Sequence, residues 1–277
     1  MTDSGGGTRR TGPRQGSVLG MFGELSDYRS MISNLVRREI RGRYKGSVLG
    51  FLWNFITPLI QIVVYLIVFT VIFDPDLDNY AIYLISGMVI WIWFSESMSE
   101  GSGTIVANAD MLKKIYFPHV VLPLSTVLSK MVNFLIMVAM FFVILAATGY
   151  GVSVYALLFL PVAIGIAFVF ISGLTFMLSA LNAYLRDVQY IVSVLLMAWI
   201  WITPIMYEMK TFGNAFVDTI LSLNPMTYFV EMFHDIFYWR VVPGIDTVLM
   251  CCALAAALLA VGIAVFRYLE KDFAEVL

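Results

Sequence analysis

The chain has 277 residues, 60% hydrophobic and only 13% charged, with a mean hydropathy of +0.87. A soluble domain carries about a quarter charged residues, so this balance excludes an ordinary soluble protein and indicates an integral membrane protein. The net charge of −2 decides little, because its distribution along the chain carries the information.

Residues 1–26 are rich in Gly, Ser, Thr and Arg without apolar periodicity, which predicts a disordered cytoplasmic tail. Asp27 is a plausible N-cap for an interface helix over 27–46, in which Tyr28, Met31, Ile32, Leu35 and Val36 recur at helical spacing. Such a helix can lie in the membrane interface, its apolar face in the acyl boundary, or pack as an ordinary amphipathic helix on a soluble domain. Next comes a basic cluster, Arg37, Arg38, Arg41, Arg43 and Lys45, set directly against the uncharged run 48–73. About 20 helical residues cross a bilayer core of about 30 Å, so that run is a span, starting too late and running too long for a signal peptide. Basic flanks stay in the cytoplasm, so the chain begins inside.

Spans follow at about 49–73 (with Pro58 expected to kink it), 79–99, 125–147, 154–181, 188–206 and 245–266. Asp74-Pro75-Asp76-Leu77-Asp78 is an acidic outer turn, and a cytoplasmic loop of roughly 25 residues separates the second span from the third. The segment 207–243 differs, its apolar pieces being too short to span and broken at Asn224-Pro225, which fits two short re-entrant or interfacial helices. All but Lys210 and Arg240 of the 17 basic residues then fall inside, which predicts both termini cytoplasmic. The expected fold class is all-α integral membrane: six transmembrane helices, an N-terminal amphipathic interface helix over residues 27–46 of a 27–277 transmembrane domain, and two short re-entrant helices between spans five and six.

No G-x-x-x-x-G-K-[ST] occurs, so this chain holds no P-loop, and no cofactor is expected in it. His119 and His234 fall on opposite sides of the membrane, and Cys251 and Cys252 are adjacent in an apolar run, so no metal site or disulfide is expected. Glu96 and Glu100 share a helix face and could imitate a catalytic pair, but they read as a solvated helix end. Almost no charge is buried in the spans, which argues against an ion-coupled relay. A membrane protein without its own energy chemistry borrows it.

The run from Arg37 to Trp53 resembles the opening signature of type-2 ABC exporter permeases of the polysaccharide and polyol-phosphate export family, whose cargoes include O-antigens, teichoic acids, capsules and galactans. Asn108–Pro118, Leu178–Tyr190, Leu223-Asn224-Pro225-Met226 and Phe273–Leu277 agree in order and spacing. The resemblance implies a homodimer bound to two copies of a separate P-loop ATPase that carries the ATP and magnesium. The cargo it implies is a polyprenyl-pyrophosphate-linked glycan, the place a bacterial plasma membrane, and no nucleic acid is expected as a partner.

Several residues gain candidate roles on that footing. Arg37, Arg38, Arg41, Arg43 and Lys45 suit a pyrophosphate at the channel entrance, though anchoring to anionic lipid asks for the same charges. Asn108, Asp110, Lys113, Lys114 and Tyr116 lie on the loop expected to dock the ATPase. Arg186 and Asp187 make either a second contact to it or a local ion pair in a tight turn. Tyr65, Trp91, Trp93, Phe94, Trp199, Trp201 and Tyr207 suit a sugar-lined channel, while interfacial belts facing lipid give a similar set, and Trp91 and Trp93 cannot share one face. Asn224, Pro225, Glu231 and Asp235 mark an exit lid. An exporter of a drug or small lipid is the alternative; a membrane-embedded glycan-processing enzyme would need clustered acids or histidines at one face.

Overall fold

A computed structural model describes residues 28–42, 50–73, 77–208 and 215–277. The tail, Asp27, Arg43, Lys45, Asp74–Asp76 and Lys210 lie outside the described residues. Every regular element among those described is helical: α1 (Arg29–Gly42), α2 (Trp53–Val68, entered by a 3-10 turn and continued by a π turn to Phe73), α3 (Tyr80–Ala107), α4 (Ala109–Lys114), α5 (Val121–Thr148), α6 (Val154–Tyr184), α7 (Val188–Ile202), α8 (Ala215–Leu223), α9 (Pro225–His234, continued by a π turn to Trp239), α10 (Ile245–Glu270) and α11 (Phe273–Val276). Four of them, α3, α5, α6 and α10, are long and apolar enough to cross a membrane, while α2 and α7 are apolar but shorter.

α3 is the axis of the bundle. It is apolar nearly all round, the pattern of a helix enclosed by others, and α5, α6, α7 and α9 enclose it. Met88, Trp93 and Phe94 have 1% or less of their surface exposed. α6 and α10 cross at two glycines: a Cβ on Gly262 would sit 2.0 Å from the Gly173 carbonyl oxygen. Small residues at such a crossing let two backbones touch. A second apolar cluster closes the end of the bundle that carries α1, joining Leu35 to Phe117, Val121, Phe176, Phe266 and Phe273.

The bounds differ from expectation where polar groups find partners. The second helix does not stop near residue 99 but runs to Ala107, and the expected long loop is mostly helix, with α4 in its middle and α5 starting at Val121. Ser95 and Ser102 donate back to the Ile92 and Ser99 carbonyls, and Glu96 and Glu100 are paired, so the polar run does not end the helix. The fifth helix ends at Ile202 rather than 206, because Pro204 lacks the N–H that would continue it. Pro58 sits inside α2, whose helix continues past it. The apolar side of α1 packs on the protein: Leu35 is buried, and Tyr28, Met31 and Ile32 join the same cluster.

Candidate functional site

At the α1 end, that helix is tied to the α4 loop. Arg38 Nη2 donates to Asn108 Oδ1 at 2.6 Å, and Asn108 Nδ2 donates to the Thr104 carbonyl at 2.8 Å, where α3 gives way to α4. Asp110, Lys113 and Lys114 are exposed, as are Ile115 (55%) and Tyr116 (85%). The return to α5 is pinned from below. The His119 N–H donates to Glu270 Oε1 at 3.3 Å, and the His119 ring stacks on Phe273, 5.8 Å between centroids. Burial pushes the His119 imidazole below its ordinary value of 6.5, against the pull of the Glu270 carboxylate 3.3 Å from Nδ1. Arg37 is exposed on α1; the side chain of Arg41, on the same helix, lies outside the described residues with Arg43 and Lys45.

Glu96 and Glu100 do not form a solvated helix end. Lys130 of α5, 2% exposed, places its ammonium 2.7 Å from Glu100 Oε1 and 3.3 Å from Glu96 Oε2. A lysine within an apolar helix is tolerable only when paired. The two carboxylates, one turn apart on α3, both contact its ammonium.

No ion pair joins Arg186 to Asp187 among the described residues, and both side chains are exposed. Backbone bonds make the turn instead, Val188 N–H to Leu185 O at 3.0 Å, with Asn182 Oδ1 accepting the Gln189 N–H at 3.0 Å.

At the opposite end, the chain unwinds after α7, and its carbonyls are caught by side chains. Tyr80 donates to Met206 O and Tyr83 to Tyr207 O, each at 2.9 Å. Asn224 Nδ2 donates to Ile202 O at 3.2 Å and to Thr203 Oγ1 at 3.0 Å, while its Oδ1 accepts from Trp199 Nε1 at 2.8 Å and from the Met226 N–H at 3.0 Å. Asn224 is thus the N-cap of α9, with Pro225 as its first residue. His234 lies flat on Tyr83, 3.9 Å between ring centroids. The Pro204 carbonyl lies 3.3 Å from Nε2, and Ser86 Oγ lies 2.8 Å from Nδ1 and donates to the Tyr83 carbonyl at 2.7 Å. Gly87 leaves room for the ring, since a Cβ there would meet His234 Cε1 at 2.9 Å. α9 is embedded in the core through Phe229, Val230 and Phe233, and Glu231 and Asp235 are half-buried on one face of it.

The seven candidate aromatics separate. Trp91, Trp93 and Phe94 are buried inside the chain's own bundle and offer no surface to a channel; Trp93 stacks on Phe134 at 4.6 Å, and Phe94 meets Trp199 edge to face at 5.3 Å. Trp91 and Trp93, on different faces, are both covered because α3 is covered all round over residues 88–94. Trp199 is half-buried on Asn224. Tyr65 and Trp201 meet edge to face at 6.3 Å where α2 approaches α7, Trp201 with 54% of its surface free, and Tyr207 donates to the Trp201 carbonyl.

Residues 31–238 match the model of the ABC-2 type transporter family. The chain belongs to that family. As an ABC-2 chain it is a multi-pass membrane protein and a transport subunit. It is 35% identical over 259 residues to the O-antigen export system permease protein RfbA of Myxococcus xanthus, covering 93% of this chain and 99% of that one. An O-antigen export system permease protein RfbA of Klebsiella pneumoniae is 30% identical over 202 residues, covering 73% and 77%. The ABC-2 chain also uses residues that sequence reasoning passed over: Lys130, His234 with Ser86, and the tyrosines Tyr80 and Tyr83. Lys130 could have been found by depth, since it lies in the first third of α5 and Glu96 and Glu100 lie at the matching level of antiparallel α3. The His234 contacts had no local signal.

Proposed function

We propose that this chain is the membrane half of an ATP-driven exporter of a lipid-linked cell-surface polysaccharide, six spans in each of two identical protomers, both termini cytoplasmic, in a bacterial plasma membrane. The observation that carries the reading is likeness along nearly the full length of a relative named for O-antigen export. Two copies of a P-loop ATPase would seat against Asp110, Lys113, Lys114 and Tyr116, whose side chains project free of the bundle. Closure of the ATPase would reach α1 through the Arg38–Asn108 bond. The basic run Arg37 to Lys45 would receive the pyrophosphate of the carrier lipid, since guanidinium forks pair with phosphate oxygens.

A homodimer accounts for the uncovered apolar faces of α2 and α7, including Ile60, Val64, Val194 and Met197, each at least half exposed. Between two protomers these faces would enclose a channel with Tyr65, Trp201 and Tyr207 in its wall. α8 and α9 would be the re-entrant pair, with Asn224 and Pro225 at their junction and Glu231 and Asp235 toward the exit. Depleting the chain from its cells should cause glycan joined to polyprenyl pyrophosphate to accumulate inside, and the purified chain should bring down an ATPase at one-to-one stoichiometry. Transport or nucleotide hydrolysis by the chain alone would overturn the reading.

A further inference from the structure

The loop that carries α4 turns back into the bundle within one residue: Tyr116 is 85% exposed and Phe117 is 2% exposed. Where it turns, the loop meets the feet of two helices. The His119 N–H donates to Glu270 Oε1 at 3.3 Å, and Glu270 is the last residue of α10. The His119 ring packs edge to face on Phe117 at 5.9 Å and stacks on Phe273, the first residue of α11, at 5.8 Å. Phe273 itself has 1% of its surface exposed. Besides His119, its ring meets Phe266 of α10 at 5.7 Å and Tyr184 of α6 at 6.3 Å.

Tyr184 completes the joint from the other side. It ends α6, and its hydroxyl donates to the Leu269 carbonyl of α10 at 2.8 Å and lies 3.4 Å from Asp272 Oδ2. Phe266 in turn meets Phe176 of α6 at 6.2 Å. Farther along, α6 and α10 are locked by the close approach of Gly173 and Gly262, so their feet belong to one body. Rings in contact gain more than their buried area alone, and the gain depends on their relative geometry. Phe273 is thus the ring that the returning loop shares with the ends of both helices.

We infer that Phe273 is a positioning residue for transport: it couples the loop that seats the ATPase to the α6–α10 pair, so that closure of the ATPase moves this pair as a unit. This rests on the reading that the ATPase seats on Asp110, Lys113, Lys114 and Tyr116. It adds a second route out of that loop, beside the Arg38–Asn108 bond that leads to α1. Buried as it is, Phe273 touches neither cargo nor nucleotide and acts through the rings around it.

The test uses the complete permease–ATPase complex in proteoliposomes, with lipid-linked glycan extracted from the source cells, and reads glycan moved per ATP hydrolysed. Phe273→Ala should lower that ratio severalfold while each assembled complex still hydrolyses ATP. A role confined to stability would reduce the yield of complex and leave the ratio unchanged. Phe273→Met, which conserves volume and offers sulfur to the surrounding rings, should keep the ratio within about twofold of wild type. Hydrogen exchange on the same complex gives a second readout at two amides, the Leu122 N–H bonded to the His119 carbonyl at 3.1 Å and the Leu185 N–H bonded to the Leu181 carbonyl at 2.9 Å. Both should exchange roughly three- to tenfold faster in Phe273→Ala, the shift in local opening that a lost ring pair produces. The Met226 N–H, at the opposite end of the bundle, should not change. Should Phe273→Ala fail to assemble, His119→Ala cuts the loop from the joint while leaving Phe266 and Tyr184 on Phe273, and should lower the ratio by itself. An unchanged ratio in either assembled variant would overturn the inference and leave the docking reading standing. A wild-type chain that brings down no ATPase would remove both.

Discussion

Lys130→Met isolates the cluster that ties α3 to α5. In the native protein one ammonium faces two carboxylates at 2.7 and 3.3 Å. At an effective dielectric near 20, each contact of that length is worth about 5–6 kcal/mol of attraction, most of it cancelled by the cost of desolvating the lysine. Removing one partner of a buried pair costs about 3–5 kcal/mol, because the remaining charge is stranded. Glu96 and Glu100 keep 30% and 33% of their side-chain surface open, so solvent screens part of their repulsion and the lower figure applies, about 3 kcal/mol. Removing all three charges, by Lys130→Met with Glu96→Gln and Glu100→Gln, should restore all but about 1 kcal/mol. The assay is denaturant titration of the detergent-purified chain followed by tryptophan fluorescence, comparing wild type, single and triple variants. A single variant as stable as wild type, or a triple variant no better than the single, would refute the account.

Gly262→Leu should force α6 from α10 and cost about 1–3 kcal/mol, whereas Gly165→Ala, in open space, should cost nothing, both read as the temperature of half-aggregation. Asn224→Ala removes the α9 cap and leaves the Trp199 indole and Thr203 without their partner, for about 2 kcal/mol; limited proteolysis between residues 207 and 223 should accelerate severalfold. Burial holds the folded-state pKa of His119 below its unfolded value of 6.5, so the unfolded chain takes up the proton first as pH falls. Stability contributed by the neutral ring is therefore full above pH 6.5 and declines below it. His119→Gln should flatten the melting temperature between pH 7 and 5.5, and an unchanged slope would contradict this.

The long apolar helices and their order were legible because hydrocarbon thickness imposes a minimum run that little else in a sequence imitates. The pair α8 and α9 was legible from Asn224-Pro225, a cap followed by the one residue favoured at a first helical position. Misreadings came where a partner distant in sequence changed the local meaning. Glu96 and Glu100 looked like a helix leaving the membrane until Lys130, from another helix, supplied the compensating charge. Trp91 and Trp93 looked like wall or belt residues because periodicity assumes one exposed face, and α3 has none over residues 88–94. Arg38 read as a bare cation; its bond to Asn108, 70 positions away, is set by tertiary packing.

The glycine crossing of α6 and α10 limits how the machine can move. With no room between Gly262 and the Gly173 carbonyl for even a Cβ, neither helix can slide or roll past the other there without collision, so the two make a stiff mast. Shape change during a transport cycle is left to the loosely embedded helices, α2 and α7, which rest chiefly on α3 rather than on that mast.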